Sequence, residues 1–453
     1  MYNLKYKGDG NMRKLAALIS VFMVFSGIAG CGRTKTTDIK DISSKPNTAD
    51  NVQKNSAAEN PVYPKGVAFE DYDGRALLMK ENKLEDSFLD ALKKFTYKST
   101  SEILKNKTKN ITYSPVSLYM ALSLAGTGAG GSTQKEIFSA LEAGNNKADY
   151  LSNENSKLFR LLYSDNEIGK LKIANSVWLD KDINFKKSFL DTAVKDFYSS
   201  VYNVDFKDKG SSKQISDWIS KNTNDALSPQ ISLDKNQIMS IINTIYYKDQ
   251  WMDKFDEKAT KPDTFYLKNG QEIKCDFMNS TYAVHSFIRG EGYTSSALSL
   301  KNNGSMLFIL PDKGVSIDSL LQSPEKAAKL FDEQGSINGK VIFQIPKFSY
   351  GSSLDLKEAL NNLGIKEAFK NNADFSGVTD GKAFISNAKQ ESHIAIDEKG
   401  VEAAAFTRIE YGGSARPKQE KAEMILNRPF IFAIKANGGN ILFVGIVNNP
   451  KEN

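Results

Sequence analysis

The chain has 453 residues, of which 40% are hydrophobic and 25% are charged, so it can bury a large core. Its formal net charge is +6, and its Lys and Arg residues form no dense run, which argues against nucleic-acid or glycosaminoglycan binding. Its two cysteines (Cys31 and Cys275) and two histidines (His285 and His393) form no cluster, so we predict no metal, no cofactor and no disulfide.

The N-terminus has the pattern of an export signal. Met12-Arg13-Lys14 is basic, and Leu15–Ala29 is an apolar run of 15 residues, too short for a permanent transmembrane helix. The run ends at Ile28-Ala29-Gly30-Cys31, which resembles the lipobox of bacterial lipoproteins. We therefore predict a signal peptide over residues 1–30 and lipid attachment at Cys31, which would give an outward-facing membrane lipoprotein. A plain secretory signal is the alternative.

A polar segment precedes the first sign of a folded domain. Residues 31–83 are rich in Lys, Thr, Ser, Asn and Asp, which predicts a flexible tether. From Leu84 onward, apolar residues recur at the spacing of an amphipathic helix: Leu84, Phe88, Leu89, Leu92 and Phe95. We therefore predict a single domain over residues 84–453.

The domain begins with helical patterns and continues mostly with strand-like ones. Ser114-Pro115 marks a helix start, with Ser114 as N-cap and proline in the first helical position. Further helical patterns cover Lys187–Phe197 and Ser212–Asn222. Strand-like runs are Lys172–Leu179, Ile241–Tyr247, Met306–Leu310, Val341–Ile345, His393–Ile396, Phe430–Lys435 and Ile441–Ile446. This order predicts the α+β class.

The sequence argues against nucleotide binding and against serine-hydrolase catalysis. The glycines of Gly126-x-Gly128-x-x-Gly131 follow a helical pattern rather than a strand, and the lysine of a phosphate loop is absent. The chain also lacks a Gly-x-Ser-x-Gly elbow, and its two histidines leave little for a serine hydrolase site. We predict neither a nucleotide-binding protein nor an enzyme.

The segment from Glu398 to Pro417 combines features of a strand and of a loop. From Val401 the side chains alternate with the period of a half-buried strand, and one face carries Val401, Ala403, Ala405, Thr407, Ile409 and Tyr411. Three consecutive alanines are poor strand formers, however, and Gly412–Pro417 is typical of an exposed loop. The segment suits two states, loop and inserted strand. An ordinary strand that ends in a turn is the alternative.

Many ordered motifs between about Leu84 and Pro450 resemble those of the serpins. Asn110–Ser117 resembles Asn-Ile-x-x-Ser-Pro-x-Ser, and Asn243–Trp251 resembles Asn-x-(Ile/Leu)-(Tyr/Phe)-(Phe/Tyr)-Lys-Gly-x-Trp. Further matches are Asn175–Trp178, Ile215–Asn224, Leu310-Pro311, Ile345–Phe348, Leu363–Ile365, Ala373–Gly377, Arg428–Phe430 and Asn449-Pro450.

The resemblance implies an α+β serpin fold with three β-sheets, eight or nine helices and an exposed reactive-centre loop. It also implies a mechanism in which a serine protease attacks the loop, forms an acyl-enzyme and is trapped when the loop inserts into the main sheet. We expect a monomer that meets a secreted or exogenous protease, is held to a membrane by its lipid anchor and binds no nucleic acid. The alternatives are a non-inhibitory carrier and an inhibitor of a chymotrypsin-like or cysteine protease.

The loop residues can be matched to that family one by one. Glu398, Lys399 and Gly400 match its proximal hinge. The inserting run that follows the hinge comprises Val401, Glu402, Ala403, Ala404, Ala405, Phe406 and Thr407. Val401 departs from the usual Thr or Ser, but valine packs inward and has high strand propensity, so we expect insertion to persist.

Other residues match the region through which the main sheet of a serpin opens: Ser114, Ser117, Asn243 and Gln390. Gln390 stands where that family has a histidine. Because glutamine both donates and accepts, a polar network can persist there, without a response to pH. Trp251 matches a tryptophan near the start of insertion, and a plain core role is its alternative.

The bond that the protease cuts is predicted sixteen residues beyond Glu398, between Ser414 and Ala415. Small side chains there favour elastase-like or subtilisin-like proteases. Tyr411 is the alternative, for a chymotrypsin-like protease. The spacing from Glu398 to Pro429 is about four residues longer than the commoner one in the family, so the register of the bond stays open.

Overall fold

The computed structural model describes residues 57–144, 147–233, 237–401 and 420–452. The α-helices in these ranges are α1 (Tyr72–Glu81), α2 (Asp86–Leu104), α3 (Pro115–Gly128), α4 (Gly131–Ala140), α5 (Ala148–Leu162), α6 (Lys187–Lys195), α7 (Lys209–Asn222), α8 (Ile317–Leu320), α9 (Pro324–Phe331) and α10 (Lys357–Asn362). The strands are β1 (Ala57–Glu59), β2 (Ile111–Tyr113), β3 (Ser164–Asp165), β4 (Lys170–Asp180), β5 (Ser199–Val204), β6 (Met239–Gln250), β7 (Lys261–Tyr266), β8 (Glu272–Gly290), β9 (Tyr293–Ser299), β10 (Ser305–Pro311), β11 (Ile337–Pro346), β12 (Phe348–Asp355), β13 (Ile385–Asp397), β14 (Gly400–Val401), β15 (Lys421–Ile425), β16 (Phe430–Lys435) and β17 (Ile441–Val447).

The helices and strands predicted from residue patterns are confirmed within a few residues. The Ser114 hydroxyl accepts a hydrogen bond from the Ser117 backbone N–H at 3.2 Å, and Pro115 is the first residue of α3. The helix predicted from Leu84 begins at Asp86. All seven strand-like runs lie within strands, because alternating or continuous apolar residues fit a pleated, buried surface.

Four of the predicted site residues, Asn243, Gln390, Gly400 and Val401, lie in an eight-stranded sheet, here called the main sheet. Its strand order is β1-β5-β4-β6-β14-β13-β12, with β3 paired to β4. The two central strands, β6 and β13, run parallel and pair with each other directly over much of their length. The short strand β14 is antiparallel to both and lies between them at one end.

The remaining strands form a second sheet of nine strands, in the order β15-β11-β8-β9-β10-β16-β17-β2, with β7 paired to β8. The family resemblance implied three sheets. The 19-residue strand β8 pairs with both β11 and β9, and this joins two sheet regions into one hydrogen-bonded network. The described residues contain ten α-helices rather than eight or nine, and α8 is a single turn of four residues. The α+β class is confirmed.

Both faces of the main sheet are covered, which explains why β4 and β6 are buried almost throughout. On one face α3, itself buried nearly all round, packs against β6 and against β17 of the second sheet. On the other face α7 packs against β4 and β6 through Ile215, Trp218 and Ile219. A strand that enters this sheet therefore needs small or well-fitting side chains on both faces.

The predicted tether ends earlier than residue 83. Within it, β1 pairs with the outer strand β5, and the Tyr63 ring stacks on Phe159 and Tyr163 at centroid distances of 6.1 and 5.9 Å. The Phe69 backbone N–H also donates to Glu167 Oε1 at 3.2 Å. The pattern of this segment does not predict these contacts, because their partners lie between 96 and 145 residues further along the chain. Residues 31–56 lie outside the described ranges.

In the part of the chain that the structure describes, no helix combines the length and apolarity needed to span a bilayer. The same part contains no group of three or more His, Cys, Asp or Glu side chains arranged to hold a metal ion.

Candidate functional site

The two central strands of the main sheet diverge at one end, and we call this point the fork. Below it, β13 and β6 pair directly from Ile385 and Met239 up to Ser392 and Ile245. Above it, Val401 of β14 lies between the strands, opposite Ile396 of β13 and Asp249 of β6. Gly400, the last residue of the predicted hinge, and Val401, the first residue after it, are therefore already paired with the strands that would receive the rest of the loop.

The hinge residue Glu398 is buried and held by two side chains. Its carboxylate accepts hydrogen bonds from Thr260 Oγ1 at 2.7 Å and from Lys347 Nζ at 2.9 and 3.2 Å. Burial by itself would raise the pKa of Glu398, but these two donors hold it below its ordinary value. Glu398 is thus an ionised anchor at the start of the loop.

The turn that leads into β14 is closed by Asp397. Its Oδ1 accepts hydrogen bonds from the backbone N–H groups of Lys399 at 2.8 Å and Gly400 at 3.2 Å. Gly400 approaches β6 so closely that an added Cβ would lie 2.2 Å from the Asp249 carbonyl oxygen. Only glycine fits this approach, so the glycine that ends the Glu-Lys-Gly sequence of the hinge has a steric reason.

Trp251 combines its two predicted roles. Its ring is fully buried and lies edge-on to Phe255 at 6.1 Å, as expected of a core residue. Its Nε1–H donates to the Asp397 carbonyl at 2.8 Å, and its backbone N–H donates to the Lys399 carbonyl at 3.1 Å. Trp251 therefore positions the hinge turn from the end of β6.

The four polar residues predicted for the sheet-opening region meet below the fork. Gln390 accepts from the Ser114 backbone N–H at 2.6 Å and donates through Nε2 to the Ser114 carbonyl and to Asn243 Oδ1, both at 3.1 Å. The Ser117 hydroxyl donates to the same Asn243 oxygen at 2.6 Å. The network links α3 to β6 and β13, so separation of these two strands must break at least one of its bonds.

Several predicted residues lie outside the described ranges: Cys31, Glu402, Ala403, Ala404, Ala405, Phe406, Thr407, Ser414 and Ala415. The structure describes the points at which this segment starts and ends. The chain is described up to Val401 of β14 and again from Glu420, just before β15 joins β11 in parallel in the second sheet.

Sequence reasoning missed four residues that contact the hinge or the fork: Thr260, Lys347, Asp397 and Asp249. Lys347 lies within the matched motif Ile345–Phe348, but the motif does not say which acid it pairs with. Asp249 lies within the motif Asn243–Trp251, at the position of its glycine. That mismatch was the available signal, because an acid inside an apolar strand needs an explanation.

A comparison with protein families and with known proteins identifies the family. The model for "Serpin (serine protease inhibitor)" matches residues 90–450. A serine protease inhibitor of Mus musculus is 33% identical over 361 residues, covering 77% of this chain and 85% of that protein. Serpin B3 of Homo sapiens is 30% identical over 394 residues, covering 81% of this chain and all of that protein.

Solved structures agree with the sequence comparison. The thermophilic serpin tengpin, in its native state, superposes with a TM-score of 0.73 at 26% identity, over 86% of this chain and 97% of that one. Thyroxine-binding globulin in complex with thyroxine superposes with a TM-score of 0.70 at 26% identity, over 80% and 99%. Together with the fork and the hinge, these matches show that the chain belongs to the serpin family of serine protease inhibitors.

Proposed function

We propose that this protein is a suicide-substrate inhibitor of serine proteases. The loop that begins after Val401 would serve as a substrate for the protease. Once cleaved, the segment that follows Val401 would insert between β6 and β13 while still esterified to the enzyme. The observation that carries the proposal is the position of Gly400 and Val401, which already pair with both strands at the fork. Further insertion continues a strand that has begun.

The composition of the loop supports insertion on energetic grounds. Each residue that enters the sheet replaces direct pairing of β6 and β13 by pairing on both sides of a new strand, which adds backbone hydrogen bonds. The residues on the same face as Val401 are mostly small, and they bury apolar surface when they enter the sheet. No proline occurs between Val401 and Pro417. Distortion of the attached protease would misplace its oxyanion hole and stall deacylation.

We propose Ser414-Ala415 as the bond that is cut, and an elastase-like or subtilisin-like protease as the target. Small residues on both sides suit a restricted or tolerant primary pocket. Cleavage after Tyr411 by a chymotrypsin-like protease is the alternative. Mass measurement of the released C-terminal fragment separates the two, because the first predicts a new N-terminus at Ala415.

A carrier function is the second candidate, and the likeness to thyroxine-binding globulin favours it. The hinge argues for the inhibitor instead. Gly400 permits the close approach to β6, Val401 is buried between the strands, and the residues that follow carry no proline and little bulk. A protein that never inserts its loop has no physical need for these features.

The test is to mix the full chain with pancreatic elastase and, separately, with subtilisin, and to resolve the products in a denaturing gel. A covalent complex with the mass of the protease plus the cleaved chain is expected. Inactivation of the protease by an active-site reagent beforehand is the control and must abolish the complex. Cleavage of the loop without any complex would contradict the inhibitor proposal.

We further propose that residues 1–30 are an export signal and that Cys31 carries lipid, so that a monomeric inhibitor faces outward from a bacterial membrane. Removal of residues 1–30 lowers the formal net charge from +6 to +3. Mass spectrometry of the membrane-extracted protein tests the anchor, with Cys31→Ser as the control that is expected in the soluble fraction. An unmodified cysteine would leave the plain secretory signal.

A further inference from the structure

At the fork, a carboxylate is buried with no counter-charge among the residues that the structure describes. The Asp249 side chain is fully buried at the end of β6. It accepts hydrogen bonds from the Tyr247 hydroxyl at 3.1 Å, the Gln250 backbone N–H at 2.8 Å and both the backbone and side-chain N–H groups of Asn302 at 3.2 and 3.1 Å. All of these donors are neutral, so none of them is a cation that offsets the cost of removing the charge from water.

The charged residues on the surrounding elements do not offset the cost of burying the Asp249 carboxylate. They are Lys248 on β6, Lys170 on β4, Glu167 before β4, Lys301 after β9, Lys254 after β6, and Asp397, Glu398 and Lys399 at the hinge. Within the described ranges, none of them forms an ion pair with Asp249. Lys301 Nζ bonds to Gln250 Oε1, and Lys347 is the partner of Glu398. Burial accordingly raises the pKa of Asp249 to about 6, against an ordinary value of 3.8.

The position of Asp249 links this cost to the loop. It is the antiparallel cross-strand partner of Val401, so both side chains are on the same face of the main sheet. Asn302, which holds its carboxylate, lies in the turn between β9 and β10 of the second sheet. Separation of β6 and β13 to admit more of the loop would shift the end of β6 relative to this turn and give water access to the carboxylate.

We infer that Asp249 is a positioning residue of the fork, and that its negative charge promotes opening of the sheet while its protonation holds the sheet closed. The inference rests on the proposed loop insertion. In the closed state the charge is buried and costly, whereas in the opening state it is partly hydrated. The ionised form therefore opens more readily, and the protein inserts its loop faster above pH 6 than below it.

The experiment measures spontaneous insertion in the full chain without any protease. Samples are held at one elevated temperature and at pH values from 5 to 7.5, returned to pH 7, and assayed for the fraction that resists a urea concentration at which the native form unfolds. The insertion rate of the wild-type chain should rise severalfold between pH 5 and 7.5, with a ceiling of about tenfold because a group with a pKa of about 6 is already about one-tenth ionised at pH 5.

Asp249→Asn removes the charge at nearly constant shape, so its rate should be slow and independent of pH in this range. Asp249→Gly, which restores the residue of the matched motif, should also lack the step and replaces the asparagine variant if that one does not fold. The matched control is Asp196→Asn. Burial also raises the pKa of Asp196, but this residue lies in the connection from α6 to β5, a strand that β4 separates from β6. This control should keep the pH step.

Identical pH profiles of the wild-type chain and Asp249→Asn would overturn the inference, and so would loss of the step in Asp196→Asn alone. A companion sample, cleaved in the loop by subtilisin, separates this result from the function itself. If cleavage brings no gain in urea resistance, the loop does not insert and the proposed function fails together with the inference. If cleavage brings the gain but the pH step is missing, only the role of Asp249 is wrong.

Discussion

Glu398 connects the start of the loop to Thr260, just before β7, and to Lys347, between β11 and β12. Its carboxylate is 8% exposed, while its partner Lys347 is 39% exposed, so the pair is only partly shielded from water. Replacement of the carboxylate by an amide keeps the shape and removes the charge, and Lys347 regains water readily. The ion pair between Glu398 and Lys347 therefore makes a moderate contribution to the stability of the native state rather than a dominant one.

Glu398→Gln should lower the free energy of unfolding by about 1 kcal/mol at pH 7, as judged from charge-assisted hydrogen bonds discounted for exposure. Urea denaturation of both proteins measures the change. Glu257→Gln is the matched control, since Glu257 is 68% exposed and lies 3.9 Å from Lys399 Nζ, and it should be neutral. Equal losses in the two variants would argue against a special role for Glu398.

A second prediction concerns the effect of the Asp249 carboxylate on the equilibrium stability of the native state. The pKa of Asp249 is raised from 3.8 to about 6, so its contribution is present below about pH 4 and is lost as pH rises through about 6. The free energy of unfolding of the wild-type chain, relative to Asp249→Asn, should fall by about 2 to 3 kcal/mol between pH 4 and 7. Urea titrations across this range measure it, and a difference that does not vary with pH would refute the assignment.

At the scale of single elements, β14 is the part of the loop that has already entered the sheet. Val401 is 1% exposed between β6 and β13, so its side chain must fit a closed, apolar position. The next residues must pass the same strands in turn, with alternate side chains towards α3 and α7. A residue there stops the new strand if it cannot donate a backbone hydrogen bond, or if it places a bulky or charged side chain on the same face as Val401.

Val401→Arg and Ala404→Pro should each convert the inhibitor into a substrate. The arginine would force a long and bulky side chain into the closed position of Val401, and the proline would remove a ladder hydrogen bond. The measure is the ratio of covalent complex to cleaved chain after reaction with the target protease, which should fall at least tenfold. Val401→Thr, which restores the commoner residue of the family, is the control and should retain complex formation. An unchanged ratio in Val401→Arg would contradict the insertion mechanism.

The N-terminal segment is a second element whose role follows from its contacts. Tyr63 stacks against Phe159 of α5 and against Tyr163, so the segment is attached to the domain near β1. Tyr63→Ala should lower the free energy of unfolding by about 1 to 2 kcal/mol through lost aromatic contact and burial. Val62 is 89% exposed, so Val62→Ala serves as the control and should be neutral in the same urea experiment.

For the whole molecule, the native fold keeps one strand of its main sheet incomplete. Below the fork, β6 and β13 pair directly, and the loop that could separate them starts at their upper end. The native state is therefore not the arrangement with the most strand pairing. A polar network around Gln390 and Asn243 holds the closed arrangement together.

Cleavage in the loop should accordingly stabilise the protein, which is the opposite of what nicking does to most domains. The cleaved chain is expected to resist urea at a concentration at least ~2 M above the midpoint of the intact chain, because insertion adds a full strand and the slope of unfolding is about 1–3 kcal/mol per M or larger. Ala404→Pro, cleaved in the same way, is the control and should gain much less. A lower midpoint after cleavage of the wild-type chain would refute insertion.

The amino-acid sequence by itself determined the elements and the family. Periodicity identified α2, α3 and the seven strand-like runs, because those signals come from residues a few positions apart that share one buried face. The glycine at 400 and the small residues after it indicated a segment suited to insertion. Ordered motifs along the chain were enough to recognise a serpin, and they brought Ser114, Ser117, Asn243 and Gln390 to attention before their contacts were known.

Only the tertiary structure decided which of these residues meet. Lys347 and Glu398 are 51 positions apart, Asp249 and Asn302 are 53 apart, and Trp251 and Asp397 are 146 apart. Such pairs depend on strand register and on the path of the chain between sheets, and no local pattern encodes either. For the same reason the contacts of Tyr63 were missed. The loop was readable from the sequence, whereas the fork that would receive it, and the buried charge at that fork, required the packed sheet.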